Sequence, residues 1–292
     1  MSQITQLASK LFSTDGFSPV KTVPTEKRVR GVLNGNTVFD TTSALLVWEH
    51  KYFPQYWIPK SSFLDTVTFT KDKPISGIES STYTLSTRPG SDNKTAPALH
   101  VPESFNSELA GYVKIDFKSL DTWFEELTPV LYHPKDPFHR VDLLPSGRHI
   151  RVETPSGTLL ADTGSEGGVV SLWETNFPGR WYLPATALRW ELLRASKTKT
   201  GCPYKGEASY YSAVVEGEKD IEDVVWYYEN PTLESAGVRG MYCFYPDKVR
   251  TWVDGVEIER VGMPKASLKE IRGVQGAKPP EAEKEKVNGD KK

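Results

Sequence analysis

Cysteine is nearly absent, neither sign of charge is in excess, and no apolar run is long. Only Cys202 and Cys243 occur among 292 residues, too few for a disulfide framework or a Cys-rich zinc site, so a reducing compartment is expected. The 36 Lys and Arg against 38 Asp and Glu give a formal net charge of −2. That balance excludes a nucleic-acid partner recruited by bulk positive charge, though not one local basic pocket. Apolar stretches end after a few residues, far short of the roughly 20 that cross a bilayer. The first seventeen or so residues lack a charged start, a long apolar stretch and a small-residue cleavage site, so no export is expected. A cytoplasmic address and no membrane contact follow as expectations, and the sequon Asn93-Lys94-Thr95 reads as chance.

Helical periodicity is scarce as well, and what replaces it is β-pattern. Leu33-Asn34-Gly35-Asn36-Thr37-Val38 predicts strand, tight turn, strand, because Asn and Gly tolerate positive φ. Alternation of period two marks Thr66 to Thr70 and Tyr112 to Phe117, and an apolar strand is read at Ser43 to Glu49. Aromatic and β-branched residues mark Ser209 to Val215, Val224 to Tyr228, Met241 to Tyr245 and Val249 to Val253. Helix is expected only at Gln3 to Phe12 and for a turn or two near Pro184 to Arg189. The fold class read from this is all-β.

An internal repeat divides the chain. Trp48-Glu49 is echoed by Trp173-Glu174, and Tyr56-Trp57-Ile58-Pro59 by Trp181-Tyr182-Leu183-Pro184, at one shared offset. Phe53-Pro54 and Phe177-Pro178 fall between these landmarks. The expected organisation is an N-terminal extension over 1–24, a first β-domain over 25–130, a packed inter-domain segment over 131–147, a second β-domain over 148–262 and a charged, disordered tail over 263–292. The inter-domain segment is read as packed because it carries Phe138, Val141, Leu143 and Leu144. The tail has too few apolar groups to offset the entropy of ordering it.

The second copy contains Cys202-Pro203-Tyr204-Lys205-Gly206 followed by Ala208-Ser209-Tyr210, with Trp226-Tyr227-Tyr228, Pro231, Ala236-Gly237, Phe244-Tyr245-Pro246-Asp247-Lys248 and Val253-Asp254-Gly255 downstream. Upstream stand Arg148 to Val152, Ala161-Asp162, Glu174 and Arg180 to Pro184, and the inter-copy stretch Asp136 to Asp142. This set resembles the family known as domain of unknown function 427, in its tandem form. The resemblance covers nearly all of 136–256 and is weaker over 28–126. It implies two tandem copies of a compact, mostly β, tent-like domain with an invaginated pocket, and no established activity. The first copy lacks the Cys-Pro-Tyr-Lys-Gly core and has Gln55 where the second has Arg180, while keeping Glu49 opposite Glu174. A site is therefore expected in the second copy alone.

The candidate catalytic residues are Glu174, Lys205 and Cys202; the candidate ligand-binding residues are Arg180, Tyr182, Tyr204, Tyr210, Trp226 and Arg148. Lys205 and Arg180 suit an anion or a carbonyl, the guanidinium by bidentate contact. Glu174 can accept hydrogen bonds or act as a base, and Tyr210 and Trp226 offer apolar faces. Cys202 can be a nucleophile if a cation such as Lys205 lowers its pKa, with His139 or His149 as base, or a small hydrophobe packed in a niche. Glu174 and Arg180 can equally form a fold-stabilising ion pair. Arg140, Arg148 and Arg151 either gather as an anion patch or pair with Asp142, Glu153 and Asp162. No metal-ligand spacing, phosphate-binding glycine loop or nucleophile elbow is present, so neither cofactor nor metal is expected. The leading expectation is a pocket for a small polar or anionic metabolite, with acid–base or transfer chemistry if there is a reaction, in a monomer that is an internal pseudo-dimer. The competing expectation is a non-catalytic interaction module using an aromatic-rich face; binding of single strands by stacking stands third.

Overall fold

The computed structural model describes residues 3–13, 16–17, 20–74, 81–87, 94–105 and 107–259. The tail expected over 263–292, residues 75–80 and Asn93 of the sequon lie outside the described residues. The chain divides into two compact units between Pro137 and Phe138.

Among the described residues, helix α1 (Gln3–Leu11) precedes, in the sheets of the first unit, β1 (Thr22–Thr25), β2 (Val29–Leu33), β3 (Asn36–Thr41), β4 (Ala44–Val47), β5 (Gln55–Pro59), β6 (Thr68–Pro74), β7 (Ser81–Ser86), β8 (Ala96–His100), β9 (Tyr112–Ile115), β10 (Thr122–Glu125) and β11 (Thr128–Pro129). A two-residue hairpin, Phe12–Ser13 with Gly16–Phe17, follows the helix. The second unit has β12 (Val141–Ser146), β13 (Ile150–Glu153), β14 (Leu159–Asp162), β15 (Val169–Glu174), β16 (Arg180–Pro184), β17 (Leu193–Cys202), β18 (Gly206–Ala213), β19 (Ile221–Tyr228), β20 (Met241–Phe244), β21 (Arg250–Val253) and β22 (Val256–Glu257).

The first unit's seven-stranded sheet runs β1-β4-β5-β9-β8-β7-β6 and its four-stranded sheet β11-β10-β2-β3. The second unit repeats this strand for strand as β12-β15-β16-β20-β19-β18-β17 and β22-β21-β13-β14. The fold is all-β, in two similar halves. The turn expected at Asn34-Gly35 closes β2 and β3, with φ of 52° and 72°, the mirror-image turn that matches strand twist. Asp254-Gly255 does the same between β21 and β22, at 52° and 81°. The strand read over Tyr112 to Phe117 stops at Ile115, because the Asp116 side chain accepts the Lys118 N–H and starts a 3-10 turn. Near Pro184 to Arg189 the expected helical turn is the 3-10 segment Ala185–Ala187.

Period-two alternation gives each seven-stranded sheet two apolar faces. One packs on the four-stranded sheet: Val29, Leu33, Val38, Ile58 and Ile115 in the first unit, Ile150, Val152, Leu183, Val225 and Phe244 in the second. The opposite face differs between the units. In the first it carries Val47, Trp57, Leu99 and Val101, on which α1 lays Ile4, Ala8 and Leu11, spaced for one helix face. In the second it carries Leu172, Tyr182, Tyr210, Trp226, Tyr228 and Cys243. The inter-copy segment divides between the two units. His133 is buried against Phe53 in the first unit, whereas Val141 to Ser146 is an edge strand of the second. Alternation along that strand turns Val141 and Leu143 inward, and leaves Leu144 exposed, as Phe138 before it is.

Candidate functional site

The Cys-Pro-Tyr-Lys-Gly stretch is the turn joining β17 to β18, closed by the pairing of Cys202 with Gly206. Gly206 has φ of +106°, and a Cβ there would stand 3.1 Å from the Asn230 carbonyl oxygen, so only glycine fits. Thr232 N–H donates to the Lys205 carbonyl at 3.1 Å and Ser235 Oγ to the Tyr204 carbonyl at 3.2 Å, with Thr232 Oγ1 on the same Tyr204 oxygen. The segment after β19 thereby fixes the turn from behind.

So held, Lys205 donates from Nζ to Glu174 Oε2 at 2.5 Å. The other carboxylate oxygen, Oε1, lies 3.0 Å from His139 Nε2. The two side chains of the ion pair are 11% and 12% exposed. His139 stacks on Tyr204 with centroids 4.2 Å apart. Arg180 is buried and close enough to repel the Lys205 ammonium. Around these charges stand Tyr182, Trp226, Tyr210 and Tyr228. Trp226 Nε1 donates to Tyr182 Oη at 2.9 Å, and Tyr210 Oη shares a 2.5 Å hydrogen bond with Thr200 Oγ1. A buried Lys205–Glu174 ion pair thus lies among rings, with the Arg180 guanidinium near enough to act on the ammonium.

Burial alone would raise the Glu174 carboxyl, but the His139 hydrogen bond and the Lys205 ammonium outweigh it and hold the group below its ordinary value. Burial likewise works against the Lys205 ammonium, yet Cys202 and Glu174 overcome that and hold it above its ordinary value. The pair is therefore ionised at neutral pH. Burial pushes the Cys202 thiol up, and the pull of Lys205 does not reverse it. The activated thiolate considered for Cys202 is thus disfavoured. Cys243, on β20, is pushed further, to about 12.

Of the nine candidates the fold brings eight to one face of the sheet: Glu174, Lys205, Cys202, Arg180, Tyr182, Tyr204, Tyr210 and Trp226. Arg148 is not among them, being exposed, paired with Asp254 at 2.7 Å and lying over the Trp181 ring at 5.3 Å. Arg140 and Arg151 also pair, with Asp142 at 2.7 Å and with Glu153 at 2.6 Å. His139 belongs to the cluster, although its sequence context gave it only a conditional place as partner of Cys202. Its position follows from the start of β12 beside the end of β15, a pairing no local motif announces. The side chains of this cluster are mostly buried. A cleft of about 20 Å³ lined by Ile150, Val152, Trp181, Leu183 and Phe244, and reached by Arg180, lies toward the four-stranded sheet, with room for about one water molecule. Among the described residues no helix is long and apolar enough to cross a membrane.

No curated protein matches the chain. A family profile does, over residues 21–76 and 142–255, in two blocks that fall one in each unit and together span more than half of the sequence. The signature turn, the carboxylate it reaches and the strands that carry both lie inside the second block, and the chain belongs to the family described as a domain of unknown function (DUF427).

Proposed function

We propose that the second unit binds a small anionic or carbonyl-bearing metabolite at Lys205 and Arg180, between the rings of Tyr182, Tyr204, Tyr210 and Trp226. The observation that carries this is the Glu174–Lys205 pair beside buried Arg180, among rings: where water is largely excluded, cationic groups act on an entering anion far more strongly than at the surface. A ligand oxygen that takes the Lys205 ammonium frees Glu174 Oε2. The carboxylate then becomes the base for a ligand proton, with His139 on its other oxygen to relay it. Acid–base chemistry fits these groups better than covalent catalysis through Cys202. The protein works as a monomer holding two units, in the reducing cytoplasm that suits its two free thiols.

The test uses inorganic phosphate and pyruvate as probes, with calorimetric titration and thermal unfolding of the wild type and of Glu174→Gln/Lys205→Met. Saturable binding that the double variant loses, while it stays folded, is the expected result. Equal responses from both proteins would overturn the proposal.

A second reading rests on a different face. Trp190, 36% exposed, meets Tyr211 and Tyr242 edge-on at 5.3 and 4.9 Å, and Tyr227 joins them. This ring cluster, not the buried Tyr210 and Trp226, is the surface an interaction module would use.

A further inference from the structure

The first unit lacks the signature turn, yet it buries the same kind of charge pair by another route. Glu49 follows β4 as Glu174 ends β15. Its Oε1 accepts Trp57 Nε1 at 2.9 Å and stands 3.5 Å from Lys114 Nζ. Lys114 pairs across the sheet with Trp57, as Cys243 pairs with Tyr182, so the ammonium rises from the strand position that holds a thiol in the second unit. Gln55 stands in the place of Arg180 and accepts Lys114 Nζ at 2.9 Å. A second ammonium, that of Lys10 at the end of α1, donates to the Glu49 carbonyl oxygen at 2.5 Å.

The turn between β4 and β5 adds two groups that no internal contact uses. His50 Nδ1 accepts the Tyr52 N–H at 3.3 Å, which leaves the ring proton of the neutral imidazole on Nε2. That Nε2 and the Tyr52 hydroxyl are both buried, and neither has a hydrogen-bond partner. Burial first, then Lys114 and Lys10, hold the His50 pKa at about 4, so the ring is a neutral donor in the physiological range. Phe53 fixes it edge-on at 4.4 Å and is itself stacked on His133 at 3.8 Å. Two unpaired donors in one short turn, beside two ammonium groups, cost free energy unless something accepts from them. The opposing charge is Glu49, whose carboxyl burial raises despite Lys114.

We infer that the first unit holds a second binding site, for a small oxyanion of the carboxylate or phosphate class, formed by His50 Nε2–H, the Tyr52 hydroxyl and the Lys114 ammonium, with Lys10 at its edge. It is independent of the second unit's site, since none of its groups belongs to that unit. The occupant is an oxyanion because the available groups are all donors and two are cationic. A cation or an apolar ligand would leave them unpaired.

The test is a titration of the full chain with sodium phosphate and, separately, sodium acetate at constant ionic strength, read by calorimetry and by native mass spectrometry. Four proteins are compared: wild type, Tyr52→Phe, His50→Phe and Glu174→Gln/Lys205→Met. A site in the first unit is expected in the wild type and in the Glu174→Gln/Lys205→Met variant alike. Loss of one charge-assisted hydrogen bond in Tyr52→Phe should weaken it about tenfold. Tyr52→Phe should fold with undiminished stability, because its hydroxyl has no partner to lose. A stronger response to phosphate or to acetate assigns the class. No saturable binding in the Glu174→Gln/Lys205→Met protein, or binding there that Tyr52→Phe and His50→Phe leave unaltered, overturns the inference. Binding lost only with Glu174→Gln/Lys205→Met overturns it too while leaving the second unit's site standing.

Discussion

Lys205 and Glu174 are each tolerable inside the protein only because of the other. Removing one partner strands a buried charge, so Lys205→Met alone should destabilise the second unit by about 3–5 kcal/mol, measured by urea unfolding. Glu174→Gln/Lys205→Met removes both charges at similar volume and should be close to neutral, since desolvation of the pair offsets much of its attraction. The signs of the pH dependence are opposite at the two ends. Glu174 is held below its ordinary value of 4.5, so its contribution is complete above that pH and drains as pH falls through its folded value. Lys205 is held above its ordinary value of 10.5, so its contribution is complete below that pH and is lost as pH rises through its folded value. A pH series of unfolding midpoints should show both limbs flattened in the double variant. The residues at this scale were largely legible in the sequence, because the signature quotes them together. Arg148 was not: its neighbours in sequence suggested an anion patch, but Asp254, one sheet partner away, neutralises it.

At the scale of elements the two units solve the same packing problem with opposite choices. Gly31 on β2 faces Phe39 on β3, and a Cβ on Gly31 would lie 2.3 Å from the Phe39 ring. At the matching pair of the second unit the large and small residues change strands, with Val152 facing Ala161. Gly31→Val should therefore destabilise by several kcal/mol, of the order found for strongly overpacked cores, and Gly31→Val/Phe39→Ala should recover much of the loss. Unfolding midpoints of the single and double variants check it, and additive losses would contradict the pairing. The turn at Cys202 to Gly206 is constrained in a different way. Gly206→Ala forces a side chain into a φ of +106° and against the Asn230 carbonyl, so it should both destabilise and displace Lys205. Reduced phosphate binding alongside a lower unfolding midpoint is the expected readout. Strand existence could be read from alternation, while strand ends could not, because local bonds such as that of the Asp116 side chain decide where pairing stops.

For the molecule as a whole, each unit buries its own core on both faces of its seven-stranded sheet. Leu33→Ala, at a fully buried position, should cost about 2–5 kcal/mol and fall on the first unit alone. Hydrogen exchange should accelerate across residues 22–129 with little change across 141–257. The repeat visible in the sequence at Trp48-Glu49 and Trp173-Glu174 corresponds to strands β4 and β15, at the same place in both sheets. What the repeat did not disclose is that α1 covers the face which, in the second unit, carries the aromatic cluster.

Taken alone, the sequence determined the strand-rich class and the duplication and singled out eight residues that the fold places near one another, since these are carried by periodicity or by short contiguous motifs. Tertiary structure alone decided that His139 joins those residues, that burial pushes the Cys202 thiol up, and that Lys114 gives the first unit a buried ammonium of its own. The reason is physical: hydrogen-bond reach and desolvation depend on which strands become neighbours, and β9 meets β5 across more than fifty residues of intervening chain.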